Sequence, residues 1–170
     1  DRRKHVVSAE WIRKGLRAGR VSFRRFTAGL DTAYSSKSPD TIAMMFLGVT
    51  TDRRLLALSE KVYNNADLSE PIAPSDTAVK FVKFLEQCRS DWGFAKDVFI
   101  DCADQATITE LRKYKRLHGC LYSFYDSYKK VMILDRIKLQ LGWIQQGCYL
   151  VSEDCPEHIR ELESYSWQED

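Results

Sequence analysis

The sequence predicts an α/β protein built on one mixed sheet, with three antiparallel strands first, parallel strands after them, and helices on both faces. Three observations carry this reading. Residues 26–34, 41–50 and 55–63 read as consecutive strands joined by short polar turns. From residue 75 onward, stretches of helical periodicity alternate with short apolar runs. Two of the strand-like runs carry an aspartate out of their ends, Asp31 and Asp101.

The chain opens with a basic segment, residues 1–25, taken as a helix or linker ahead of a domain over 26–170. Val7, Trp11, Ile12 and Leu16 recur at helical spacing over 5–19, with Ser8 as the helix start. In the first strand, Ala28 and Gly29 keep the backbone narrow before Asp31, and Thr32 and Ala33 do so after it. Ser35 to Asp40, with Pro39, is a turn. Ile42, Ala43, Met44, Met45, Phe46, Leu47 and Val49 mark the second strand as buried. The third follows the Thr51-Asp52-Arg53-Arg54 turn.

Residues 64–74 hold two prolines and read as a loop. Ser75 or Asp76 then caps a helix to about Arg89, with Ala78, Val82, Leu85 and Cys88 on one face. Val98, Phe99 and Ile100 form a short apolar strand ending at Asp101. A helix starts near Asp104, with Thr107 and Glu110 as a capping box, and carries Arg112, Lys113, Lys115 and Arg116. A strand over 121–125, a helix over 131–146, a strand over 148–151 and a last helix opened by Asp154 and Glu157 complete the order.

Hydrophobic residues at 44% and charged residues at 29% describe a globular chain with a sizeable core. No apolar run reaches the 18 or so residues of a membrane span, and no secretory leader is visible. The net charge of +2 conceals a basic first 25 residues, at +7, ahead of a body at −5. That balance fits a phosphate-contacting arm beside a carboxylate site. Cys88, Cys102, Cys120, Cys148 and Cys155 form no Cys-x-x-Cys pair, which suggests reduced thiols inside a cell. Cys155-Pro-Glu-His158 has half the spacing of a zinc site and no second half.

A strand-end aspartate is most often a turn or capping residue. Two of them change the reading. In open α/β sheets, sites lie beyond the carboxyl ends of strands. If the strands ending at Asp31 and Asp101 are parallel neighbours, their axes lie about 4.8 Å apart. Two carboxylates that close share a proton or hold a cation.

The pieces Ala28-Gly-Leu-Asp31-Thr-Ala-Tyr-Ser, Phe99-Ile-Asp101-Cys-Ala-Asp104-Gln, Ile133-Leu-Asp-Arg-Ile137 and Cys155-Pro-Glu-His-Ile-Arg-Glu-Leu162-Glu-Ser-Tyr165-Ser-Trp span most of the chain. In order and spacing they resemble the C-terminal nuclease domain of the large terminase subunit of tailed bacteriophages, a branch of the ribonuclease H-like fold. The resemblance implies an endonuclease using two Mg²⁺ or Mn²⁺ ions to cut concatemeric double-stranded DNA during genome packaging in the host cytoplasm. It implies metal ligands at Asp31 and Asp101, Asp31 bridging both ions. Asp104 and Asp40 are secondary candidates, with cap or turn roles favoured for both. His158 is expected to pack or face solvent.

The resemblance also implies a third acid after the last helix, past a Tyr-x-Trp stretch. No such segment is identified before Asp170, so that ligand is unassigned. The implied partners are duplex DNA, an upstream packaging ATPase, the small terminase subunit and the portal protein. No Gly-x-x-x-x-Gly-Lys-Ser/Thr stretch occurs, which predicts the nuclease domain alone.

Hard carboxylate oxygens suit Mg²⁺ and Mn²⁺. A metal pair about 3.5–4 Å apart activates the water and stabilises the leaving oxygen. No Ser-His-Asp or Cys-His arrangement competes. Arg112, Lys113, Lys115, Arg116, Lys129 and Lys130 are candidate DNA-phosphate contacts, against a solvated helix face. Two rivals stand beside this reading: a resolvase- or integrase-type nuclease of the same fold, and a non-catalytic module of that fold that binds DNA or a packaging partner.

Overall fold

The period-two alternation of Thr41–Thr50 gives the sheet two apolar faces, and the rest of the chain is packed around that strand. The computed structural model describes residues 5–32, 41–101, 105–126 and 149–168. Its strands are β1 (Val6–Val7), β2 (Phe23–Asp31), β3 (Thr41–Thr50), β4 (Leu55–Asn64), β5 (Asp97–Asp101), β6 (Ser123–Asp126) and β7 (Tyr149–Ser152). Its helices are α1 (Ala9–Arg17), α2 (Pro74–Asp91), α3 (Ala106–His118) and α4 (Pro156–Gln168).

The seven strands form one sheet in the order β1-β7-β4-β3-β2-β5-β6. The predicted meander is present: β2 and β4 both pair antiparallel with β3. The later strands add in parallel, β5 on β2, β6 on β5, and β7 on β4. The mixed, ribonuclease H-like sheet read from the sequence is thus the sheet observed.

One face carries the larger core. Ile42, Met44 and Phe46 of β3 meet Ala28 and Leu30 of β2, Leu56 and Leu58 of β4, and Val98 and Ile100 of β5. Phe81, Leu85 and Cys88 of α2 cover them, with Ile108 and Leu111 of α3. The other face buries Ala43, Met45, Ala57, Tyr149 and Val151 beneath Cys155 and Ile159 at the start of α4. Each fully buried large apolar side chain contributes roughly 1.5–3 kcal/mol. Helices on both faces follow from the double-sided apolar pattern of β3.

Several local expectations are corrected. The helical spacing from Val7 misleads: Val6 and Val7 pair in parallel with Val151 and Ser152, and only from Ala9 is the chain helical. Ser8 is the N-cap as expected, its hydroxyl accepting from Trp11 N at 3.0 Å. Ile12 is fully buried in the larger core. The first strand begins at Phe23 and ends at Asp31. Helix α2 starts on Pro74, whose missing N–H suits the first helical position, so neither Ser75 nor Asp76 caps it. Thr107 lies buried inside α3 and makes no capping box, because that helix starts at Ala106 behind Gln105. Strand β6 begins at Ser123, two residues later than expected. The expected helix over 131–146 and the turn over 35–40 lie outside the described residues.

Two glycines hold positions a side chain could not. Gly119 ends α3 in the left-handed region at φ 67°, where L-residues are strained. Gly93 lies so close to Phe26 that a Cβ would run into the ring. That ring stacks on Phe46 at 5.4 Å and leans on Phe23 at 4.9 Å, fixing the start of β2 under the end of α2.

Candidate active site at the carboxylate pair

Side chains of β2 alternate between the faces. Ala28 and Leu30 enter the larger core, so Gly29 and Asp31 lie on the opposite face. The same holds for β5, where Val98 and Ile100 face the core and Phe99 and Asp101 face away. The parallel register then pairs Ala28 with Val98, Gly29 with Phe99, Leu30 with Ile100 and Asp31 with Asp101. Both carboxylates therefore rise from the same face at the carboxyl ends of adjacent strands. The ladder continues one step past them, with Thr32 N donating to Asp101 O at 3.1 Å. At the other end of the strand pair, Thr27 Oγ1 donates to Asp97 O at 3.2 Å. A slip of one residue would send either aspartate into the apolar core.

Asp31 is 1% exposed, and Asp101 is partly exposed. On the other side of β2, Asp31 lies opposite Ala43 of β3, which is itself buried in the smaller core. Like charges held close on neighbouring strands favour a shared proton or a cation between them. The donor chemistry fits a hard divalent cation: two carboxylates on rigid strands, beside the buried Thr32 Oγ1, which has no hydrogen-bond partner among the described residues. Two carboxylates alone do not complete a site. Among the described residues, no group of three or more His, Cys, Asp or Glu side chains could hold a metal ion.

Of the other predicted site residues, Asp104, Asp40, Lys129 and Lys130 lie outside the described residues. Arg112, Lys113 and Arg116 are exposed on α3, and Lys115 is partly exposed. Helix α3 connects the parallel strands β5 and β6, so it runs back antiparallel to both. Arg112 is about 9 Å and Arg116 about 15 Å along it, away from the carboxylate end.

Sequence reasoning missed Glu60. It lies opposite Met45 on the same face as the aspartates, two strands from β2. Its carboxylate accepts from Glu157 N at 2.6 Å and His158 N at 3.1 Å, capping α4 from a strand nearly a hundred residues earlier. Burial pushes the Glu60 carboxyl pKa up, and the two N–H bonds act against that rise. No local sequence signal marks such a distant cap.

His158 is fully buried, its Nε2 bonded to the Tyr149 hydroxyl. Burial pushes its pKa down to about 4. Neighbouring Cys155 is also buried, and desolvation raises its thiol pKa far above the usual range, so it is not a reactive thiolate. His158 and Cys155 both serve packing under α4.

No protein-family model matches the sequence, and no curated protein matches it. Solved structures do match. The large terminase of a thermophilic bacteriophage, in complex with ADP, superposes with a TM-score of 0.64 at 16% identity, covering 96% of this chain and 35% of the terminase. The human cytomegalovirus terminase nuclease domain, Mn-soaked and inhibitor-bound, matches with a TM-score of 0.53 at 11% identity, covering 87% of this chain and 77% of that one. The same domain without those additions matches with a TM-score of 0.52 at 12% identity, covering 87% and 78%. The chain spans about a third of the length of the phage terminase it matches. Its fold is that of the terminase nuclease domains.

Proposed function

We propose that this chain is a metal-dependent DNA endonuclease that cuts concatemeric double-stranded viral DNA during genome packaging by two-metal phosphodiester hydrolysis. The observation that carries the reading is the in-register pairing of Asp31 with Asp101. The fold shared with terminase nuclease domains supports it, as does the manganese soaked into the cytomegalovirus domain.

In this reading Asp31 and Asp101 hold Mg²⁺ or Mn²⁺, which when bound lowers the pKa of the attacking water and stabilises the leaving oxygen. Asp31 is the fixed ligand, locked by burial between β3 and β5. Asp101, the more exposed of the two, is the ligand that the phosphodiester meets in this reading. No histidine base is assigned. His158 is held by Tyr149, His118 ends α3 at the far end of the sheet, and His5 precedes the opposite edge strand β1. Arg112, Lys113, Lys115 and Arg116 contact the duplex backbone away from the cut, with Lys129 and Lys130 in the same proposed role. The proposed partners are duplex DNA and a packaging ATPase, with the small terminase subunit and the portal beyond them. The ATPase is suggested by the ADP-bound large terminase that the chain partly covers.

The test is plasmid nicking with Mn²⁺, comparing the parent with Asp31→Ala and Asp101→Ala. Each substitution is expected to abolish cleavage while leaving the far-ultraviolet circular dichroism unchanged. Undiminished cleavage in either variant would refute the site. Preference for branched over linear duplex would move the assignment to a resolvase-type enzyme.

A further inference from the structure

We propose that the end of the sheet opposite the carboxylate pair is a second, separate surface for the phosphate backbone of duplex DNA, formed by Arg17, Arg20, Arg24, Arg25, Arg53 and Lys96. The inference rests on the proposed nuclease reading only for its choice of a duplex as the ligand.

Most of these arginines belong to the basic opening segment, which charge balance alone sets beside the carboxylates. The strand direction puts them elsewhere. Arg24 and Arg25 start β2, whereas Asp31 ends it. Six residues of strand separate Arg25 from Asp31 by about 20 Å. Lys96 immediately precedes β5, at the same end. Arg53 lies in the turn joining β3 to β4, next to the start of β2, since Thr51 N donates to Ser22 O at 2.8 Å.

That turn is built rather than loose. Arg54 Nε pairs with Asp52 at 2.9 Å, and its Nη2 donates to Arg20 O at 3.0 Å. The Thr50 hydroxyl bonds Asp52 and also accepts from Arg54 N at 2.7 Å. The network holds Arg53 at φ 66°, a left-handed conformation rare outside glycine. It also ties Arg20 to the same spot. Arg17 ends α1, where the helix dipole favours a cation.

Several cations elsewhere are engaged. Lys14 pairs with Glu10, Arg13 sits over Trp92, Arg89 over Phe94, and Lys61 and Lys80 over Tyr63. Among the described residues, the six side chains of the proposed surface are exposed and make no ion pair, ring contact or side-chain hydrogen bond. Asp97 adjoins them along β5, and Asp52 is committed to Arg54. Six like charges against the single neighbouring carboxylate of Asp97 repel one another in the free protein and create a local positive potential. Five of the six are arginines, whose planar fork matches phosphate oxygens in a bidentate way. Backbone contacts of this kind read no sequence.

The experiment measures fluorescence anisotropy of a labelled 20-base-pair duplex of arbitrary sequence in EDTA, so that cleavage plays no part. Two double variants are compared with the parent: Arg24→Gln with Arg25→Gln, and Arg20→Gln with Arg53→Gln. Each pair is expected to flatten the slope of log K against log salt by roughly 1.8, about 0.9 per lost contact, with a tenfold or greater loss of affinity at ~0.1 M salt. Unchanged slope and affinity in both double variants would overturn the proposal. Tighter binding of labelled poly-glutamate than of the duplex would also overturn it, in favour of an acidic protein partner.

Discussion

Asp31 stands opposite Asp101 in the parallel pairing of β2 and β5, although the two lie seventy positions apart in the chain. The pairing is set by the apolar residues beside it. Leu30 and Ile100 are both fully buried, and their packing into the larger core turns their acidic neighbours to the other face. The carboxylates are thus held by the hydrophobic order of two strands, and the site is only as well placed as that register.

Removing bulk from that core should be costly even far from the strands. Ile12 on α1 is fully buried in the same cluster. Ile12→Ala is expected to lower stability by about 2–5 kcal/mol, read from the urea midpoint at constant m-value. A change under about 0.5 kcal/mol would mean that α1 is not packed as described.

Gly93→Ala tests the junction of α2 with β2. The added methyl meets Phe26, which cannot yield without disturbing Phe23 and Phe46. A loss of about 1–3 kcal/mol is expected in thermal or urea unfolding.

Glu60→Ala removes the acceptor for two N–H groups at the start of α4. The expected cost is about 1–2 kcal/mol. Hydrogen exchange should accelerate first at Glu157 and His158, before the strands of the sheet. Uniform acceleration across the protein would show that Glu60 acts globally instead.

Acid should weaken the fold through His158. Its folded pKa, about 4, lies below the ordinary value of 6.5, so the unfolded chain binds the proton more readily between those limits. Stability from the neutral, buried imidazole is complete above about pH 6.5 and falls as the pH drops toward 4, by roughly 3 kcal/mol in total. Glu60 acts in the opposite sense, since its raised pKa favours the folded state at lower pH. Comparing the parent with His158→Gln isolates the histidine contribution. The difference in urea midpoint should shrink steadily from about pH 7 to about pH 4.5. A constant difference would contradict it.

The meander, the alternation of the later elements and both strand-end aspartates were legible in the sequence because each is a local pattern. Ala28, Leu30, Val98 and Ile100 announce their faces by period two alone. What stayed hidden depends on distant partners. Val6 and Val7 fit a helical spacing with Trp11, yet they pair with Val151 and Ser152 far along the chain. Sheet pairing overrode local periodicity there. Glu60 looked like one more polar strand residue, because the backbone it caps arrives nearly a hundred residues later. The direction of the charge was hidden too. A count places nine basic residues in the first 25 but does not say which end of the sheet receives them.

The most direct measurement is Mn²⁺ binding followed by electron paramagnetic resonance, for the parent, Asp31→Asn and Asp101→Asn. If the two carboxylates hold the cation jointly, each single substitution weakens binding tenfold or more while the fold persists. Binding of equal affinity in all three proteins would mean that the pair grips no metal, and the catalytic reading of this site would fail.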